Sequence, residues 1–258
     1  FIQINPGPAW TGLNQLGGVY IKMGRYGEAI QAFDKVLNTN PSDLKALYNL
    51  AYACDMSGEF DRAASLYRKL ITLNPKDARA YRNLLFRMFD RAGRFREAAR
   101  VAEEVVSADP SNPQDHYNLG IIYYKMAAYE KALASFRQAL DLNPGFAQAH
   151  YNIGLVHFKN KNYGEALTAF LSFDKLQPDN PDALYNIGVA CLQLKRYEEA
   201  LTPLQRVIAL KPDYALAHYN LAIAYYVLGD KYSAHAELQR LNELDRTLAE
   251  KLRKIIRK

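Results

Sequence analysis

The apolar residues of this chain recur at helical spacing in short runs, and each run closes on a stop that a helix cannot continue through. Asn-Pro or a variant of it stands at Asn40-Pro41, Asn74-Pro75, Asp109-Pro110, Asn143-Pro144, Gln177-Pro178 and Lys211-Pro212, at intervals of 34, 35, 34, 34 and 34 residues. Each interval holds two helical runs. Turn chemistry divides them at Gly24-Arg25-Tyr26, Gly58-Glu59-Phe60, Gly93-Arg94-Phe95 and Gly229-Asp230-Lys231-Tyr232. The pattern predicts helix–turn–helix units at 10–43, 44–77, 78–112, 113–146, 147–180, 181–214 and 215–248.

Three further positions keep the same frame. The eighth residue of a unit is small at Gly17, Ala51, Gly120, Gly154, Gly188 and Ala222. An alanine recurs in the second helix at Ala29, Ala63, Ala98, Ala132, Ala166, Ala200 and Ala234. Four residues on stands a bulky residue: Phe33, Tyr67, Phe136, Phe170, Leu204 or Leu238, with Ala102 the exception. Small residues let two helices approach, and the bulky one fills the groove between them.

With this period and these positions the chain resembles the tetratricopeptide-repeat family over nearly its whole length. The resemblance implies an all-α, right-handed solenoid superhelix of seven repeats. Residues 1–9 read as a lead-in, since Phe1-Ile2-Gln3-Ile4-Asn5-Pro6-Gly7 is like the repeat end Leu142-Asn143-Pro144-Gly145, and the chain is expected to begin inside a longer protein. At the other end Arg246 replaces the stop proline, and Leu248, Leu252, Ile255 and Ile256 continue a helical pattern. A C-terminal capping helix is expected there, with its basic end over 249–258.

The third unit departs from the pattern. It is one residue longer, has Leu85 where a small residue is expected, and crowds its first helix with Arg79, Arg82, Arg87 and Arg91. Either its helix pair splays or the extra residue enters the turn before Gly93. A weaker joint over 78–112 follows from either.

In the family the first helix of each repeat lines the concave surface. The sixth position of that helix is Gln15 in the first unit and then Asn49, Asn83, Asn118, Asn152, Asn186 and Asn220. A carboxamide both donates and accepts, so a row of them can pair with the backbone of a bound peptide or only with neighbouring helices. The row resembles the asparagine ladder in the repeat domain of O-linked N-acetylglucosamine transferase. Beside it run Tyr48, Tyr117, Tyr151, Tyr185 and Tyr219 at the fifth position, Tyr52 and Phe86 at the ninth, and Phe89, Tyr124, Phe158 and Tyr226 at the twelfth. Tyrosine supplies rigid apolar area and a hydroxyl, the chemistry of interface anchors. The charges expected on this face are Lys22, Lys45, Arg79, Arg82, Lys125 and Lys159 against Asp55, Asp90 and Asp182. A basic fifth position with Asn at the ninth, which a chaperone-tail clamp needs, occurs nowhere.

Composition narrows the reading. The formal charge is +6, of which residues 246–258 carry +5, so the other 245 residues are nearly neutral and a nucleic-acid partner is not expected. The histidines His116, His150 and His218 fall in different repeats, too far apart to share a metal, and Cys54 and Cys191 read as small buried residues. Phosphate loops, nucleophile elbows and paired His–carboxylate motifs are missing. The sequence therefore reads as a bacterial-style scaffold without cofactor or metal, holding a peptide segment of a partner protein. The alternative is the substrate-recognition domain of a larger enzyme such as a glycosyltransferase. Self-association through the terminal repeats fits the same frame. A cytoplasmic setting is expected, or a periplasmic one should a signal precede the chain.

Overall fold

The computed structural model describes residues 9–256; the expected lead-in, Ala9 apart, lies outside them, as do Arg257 and Lys258. Among the described residues are fifteen α-helices and no strand, and 83% of those residues are helical. It divides into two compact units, up to Ala127 and from Ala128 onward. The first holds α1 (Ala9–Lys22), α2 (Tyr26–Thr39), α3 (Leu44–Ser57), α4 (Phe60–Leu73), α5 (Ala78–Arg91), α6 (Phe95–Ala108) and α7 (Pro113–Lys125). The second holds α8 (Tyr129–Leu142), α9 (Ala147–Lys159), α10 (Tyr163–Leu176), α11 (Pro181–Gln193), α12 (Tyr197–Leu210), α13 (Ala215–Val227), α14 (Lys231–Leu244) and α15 (Arg246–Ile256). Within each unit every helix packs on its neighbours in the chain, which is the construction of a helical solenoid.

The small-against-bulky rule has a measurable basis. A Cβ on Gly17 would stand 2.5 Å from the Phe33 ring, one on Gly154 2.5 Å from Phe170, and one on Gly188 2.6 Å from Leu204. Phe33, Phe170 and Leu204 are wholly buried, so the glycines set how closely the two helices of a repeat can come. Burying such a side chain stabilises each pair by roughly 1.5–3 kcal/mol.

The turn inside each repeat closes on one residue in the left-handed region, two positions before the second helix. Glycine fills it at Gly24, Gly58, Gly93 and Gly229, but Ala127 (φ 55°), Lys161 (φ 61°) and Lys195 (φ 59°) adopt it too. The glycine signal therefore marked only some of the turns. A second device recurs in the connectors between repeats. The Nε2 of His116, His150 and His218 lies 2.8, 3.1 and 3.0 Å from the carbonyl oxygens of Pro110, Pro144 and Pro212. These histidines tie a helix to the connector that precedes it.

The extra residue of the third repeat is not in the turn before Gly93. That turn carries the same backbone bonds as its equivalents: Arg94 N–H donates to the Phe89 carbonyl as Glu59 does to Cys54 and Arg196 to Cys191. The added residue lies ahead of α5, where the connector tightens into a 3-10 turn over Pro75–Asp77. Frame positions in α5 therefore shift by one. Phe89 takes the place of Cys54 and Cys191 and is buried with them rather than lining a groove. Leu85 takes the place of Leu50, Ile153 and Ile187, all buried, and so breaks no packing rule. Phe86 then stands at the small position, and Ala102 at the bulky one. The two sizes are exchanged, and both side chains line one small cavity.

The tail replaces the proline stop with a cap. Asp245 accepts from the amides of Thr247 and Leu248 at 2.9 and 3.1 Å, starting α15 directly after α14. α15 packs on α13 and α14, with Ala249 and Leu252 completely buried beside Ala222, Leu238 and Leu241. Its basic residues Arg246, Lys251 and Lys254 stay exposed.

Candidate peptide-binding face

In the second unit the sequence-derived row falls on α9, α11 and α13, the first helices of successive repeats. Asn186 Nδ2 donates to the Tyr151 hydroxyl at 3.1 Å, and Asn220 Nδ2 to the Tyr185 hydroxyl at 3.0 Å. Each bond joins an asparagine to the tyrosine of the preceding repeat. The rings themselves are wedged between helices. Tyr151 packs on Phe170 and Phe173 with centroids 5.6 and 5.2 Å apart, and Tyr185 on Tyr214 at 5.2 Å. Phe158 meets the edge of Tyr163 at 5.2 Å, and Tyr219 packs against the cluster that holds α15. Burial pushes the Tyr185 phenol up, while the bond from Asn220 acts against that shift.

Row and stripe are thus one lattice. The tyrosine bodies serve packing, and the half-exposed carboxamides are what remains at the surface. Asn152 Nδ2 donates to the Gln148 carbonyl one turn back at 2.8 Å. Between the asparagines stand Leu155, Val189 and Ile223, half-buried at the ninth position, and Tyr226 beside the exposed Val227. Sequence reasoning passed over these aliphatics because it looked for aromatics there; the repeat frame marks them all the same.

In the first unit Tyr48 is exposed, while Asn49 and Tyr52 are half-buried on α3. On α7 Tyr117, Asn118 and Tyr124 are half-buried, and Asn118 Oδ1 accepts from Gln114 Nε2 at 2.9 Å. The shifted frame of α5 removes Asn83 from the row. Leu84 takes the asparagine position and Asn83 the tyrosine position, facing Asn118, Ala102 and Val105 across the small cavity. The unbroken run of asparagines is therefore interrupted at the third repeat. Forward counting from Pro75 could not reveal this, because it cannot say which side of α5 holds the added residue.

On α3, α5 and α7 several of the expected charges of this face are paired across repeats. Lys125 Nζ donates to Asp90 at 2.5 Å, Arg91 pairs with the buried Asp55, and Arg79 pairs with both Asp109 and Asp115. All but the Arg79–Asp109 pair join successive repeats of the first unit, and together they reduce the call of Arg79, Arg91 and Lys125 on an acidic ligand. Cys54 and Cys191 are buried and free, with the Cys54 thiol pushed up to about 11, chiefly by burial. Among the described residues no three metal-binding side chains converge, and no helix is long and apolar enough to cross a membrane.

Repeats of about thirty-four residues, small-against-bulky helix pairs and a tyrosine–asparagine lattice define a helix–turn–helix repeat protein. The chain belongs to the tetratricopeptide-repeat family: models of that repeat match residues 20–85, 83–126, 117–181 and 188–229. No curated protein matches the sequence significantly. Among solved structures, YrrB, described as a TPR protein with an unusual peptide-binding site, is 26% identical, with a TM-score of 0.56 over 73% of this chain and 96% of its own. MamA from Desulfovibrio magneticus RS-1 is 24% identical, with a TM-score of 0.61 over 66% of this chain and 96% of its own. Another MamA crystal structure, at 22% identity and a TM-score of 0.62, covers 68% of this chain and is matched over 96% of its own length. The likeness to MamA is one of fold.

Proposed function

We propose that this protein is a non-catalytic scaffold that binds an extended segment of a partner protein along its asparagine-bearing helices. The observation that carries the reading is the pair of bonds Asn186–Tyr151 and Asn220–Tyr185. Each uses one N–H of the carboxamide and fixes its plane, leaving the oxygen and the second N–H for a ligand. First helices of adjacent repeats stand about 10 Å apart, and an extended chain advances about 3.3 Å per residue. Successive asparagines would then meet a peptide backbone at about every third residue. The aliphatic positions Leu155, Val189 and Ile223 would take side chains between those contacts. Preorganised carboxamides lose little entropy on binding, which favours a backbone-reading role over a loose polar surface. The description of YrrB as a peptide-binding TPR protein supports the same class of ligand.

The test uses a peptide selected from a displayed random library against the full chain. Replacing Asn152, Asn186 and Asn220 together by Ala is expected to weaken that peptide at least tenfold, about 1.4 kcal/mol. Tyr151→Phe with Tyr185→Phe removes the same two intramolecular bonds but keeps the carboxamides, and should weaken binding far less. Equal losses in the two variants would make the asparagines structural, and unchanged affinity in the triple variant would end the proposal.

A further inference from the structure

α15 repeats the register of the helices that carry the asparagines. Asp245 caps it through the amides of Thr247 and Leu248 at 2.9 and 3.1 Å, as Asn180 caps α11 through those of Asp182 and Ala183 at 3.1 and 3.0 Å. The Ala249 amide then donates to the Asp245 carbonyl as that of Leu184 donates to Asn180. Aligned by these caps, the buried Ala249 and Leu252 take the places of the buried Leu184 and Ile187. α15 is thus built as one more first helix, entered through Asp245 alone. Its surroundings agree. It packs on α13 and α14, and Tyr219 and Ile223 of α13 lie against the cluster that holds Ala249 and Leu252. Tyr151 and Leu155 of α9 lie in the same way against the cluster that holds Leu184 and Ile187.

The exposed side differs. At the position of Asn152, Asn186 and Asn220 stands Lys251, and at the position of Leu155, Val189 and Ile223 stands Lys254. Both lysines are exposed, and among the described residues neither forms an ion pair. The acids of the last repeat are engaged elsewhere: Glu237 with His218, Glu243 with Arg240, and Asp245 in its cap. α13 has no acidic residue. Glu250 is one carboxylate among the four cations Arg246, Lys251, Arg253 and Lys254, so α15 stays positive whichever of them it meets.

We infer, on the footing of the peptide-binding reading above, that α15 prolongs the asparagine face and that the partner's segment carries acidic side chains where it crosses Lys251 and Lys254. Lys251 follows Asn220 by the spacing of first helices, about 10 Å, which is about three residues of extended chain. Residues three apart on a helix have Cβ atoms about 5–6 Å from each other, and side chains two apart on an extended chain stand about 6–7 Å apart on one edge. Two acidic residues separated by one other therefore match the two ammonium groups, whereas a chain terminus brings a single carboxylate. An ammonium donates and cannot accept, so it selects acceptors where a carboxamide takes either. The asparagines read backbone, and this end reads charge.

The test uses peptides selected from a displayed random library against the full chain and synthesised with blocked ends. They should carry Asp or Glu at one end of an apolar stretch, and replacing those acids by Asn and Gln should weaken binding about fivefold at low salt. Lys251→Gln with Lys254→Gln should cause the same loss, Lys251→Arg with Lys254→Arg should restore most of the affinity, and the lysine dependence should fade toward about 1 M salt. Lys35→Gln with Lys175→Gln makes the same charge change at exposed positions of second helices and should leave affinity within about twofold. Undiminished binding by the Lys251/Lys254 glutamine variant and of acid-free peptides, with the triple asparagine variant still weakened, would overturn this inference and leave the peptide face standing. A loss confined to the lysine variant would make α15 a separate anion site and overturn both, as would a library that yields no binder. Equal, lysine-dependent binding of a single-stranded oligonucleotide or of phosphatidylserine vesicles would show a general polyanion surface and overturn the assignment to a peptide.

Discussion

Asn186 donates to the hydroxyl of Tyr151 across the boundary between two repeats, and the ring of that tyrosine is pressed against Phe170 and Phe173. One side chain from each of two neighbouring first helices is thereby fixed by the other. A share in stability is expected of the pair beside the role in recognition proposed for it, and the two can be separated. Asn186→Ala and Tyr151→Phe should each cost about 0.5–1.5 kcal/mol in urea unfolding. The double variant should cost less than their sum, because both remove the same bond. Strict additivity would mean that the contact contributes nothing to folding.

Most of the fold was legible because it is periodic. Gly154 and Phe170, or Gly188 and Leu204, recur at fixed offsets, and a contact that repeats along a chain announces itself without coordinates. The position of the inserted residue was not legible. Asn83 sits correctly when counted from Pro75 and one place early when counted back from Gly93, and only the bond from Arg94 to the Phe89 carbonyl decides between the two. The candidate site was half legible. The asparagines and tyrosines were visible, but their pairing joins residues 35 apart, one more than the usual repeat, and so lies outside any comparison of like positions. Lys161 and Lys195 adopt the left-handed turn without glycine because the helices on both sides hold the backbone there, and composition does not show such a constraint.

That constraint can be measured. Left-handed geometry costs a residue with a Cβ roughly 1–2 kcal/mol, while glycine loses more freedom on folding by roughly 0.5–1 kcal/mol. Lys195→Gly should therefore stabilise the protein by about 0.5–1 kcal/mol, and Lys195→Ala should change little. The midpoint of chemical denaturation reads both. A loss of stability on glycine substitution would show that the lysine side chain, rather than the backbone, matters at this turn.

His218 predicts a dependence on pH. Its Nδ1 lies 2.5 Å from Glu237 Oε2 and its Nε2 3.0 Å from the Pro212 carbonyl, two acceptors that only a doubly protonated ring can satisfy together. Burial opposes the charge, but the Glu237 carboxylate and the Pro212 carbonyl outweigh it and raise the pKa above the ordinary 6.5. A base held above its unfolded pKa stabilises the fold fully below pH 6.5, and that contribution is lost as pH rises through the folded value. His157 runs the other way. Its pKa is lowered, mainly by burial, so its contribution is present above 6.5 and is lost as pH falls through the folded value. Proton titration of the two rings should place His218 above His157, and Glu237→Gln should bring His218 down. An unshifted His218 in that variant would remove the ion pair from the account.

The last repeat ends on an apolar surface, and α15 covers it. Ala249 and Leu252 are completely buried against Ala222, Leu238 and Leu241, and Asp245 caps the helix that carries them. A solenoid gains stability from each interface between neighbours, so a terminal repeat lacking its cover loses one whole interface. Leu252→Ala leaves the helix able to form but removes its most buried side chain, and should cost about 2–5 kcal/mol. The loss should be local. Amide exchange should quicken in α13 and α14 while α9 and α10 keep their protection, because coupling along a repeat array passes only from neighbour to neighbour. Lys251→Ala, on the exposed side of the same turn, serves as the control and should change neither exchange nor stability by more than about 0.5 kcal/mol. If Leu252→Ala left exchange in α13 and α14 unchanged, α15 would be a helix resting on the solenoid rather than part of its core.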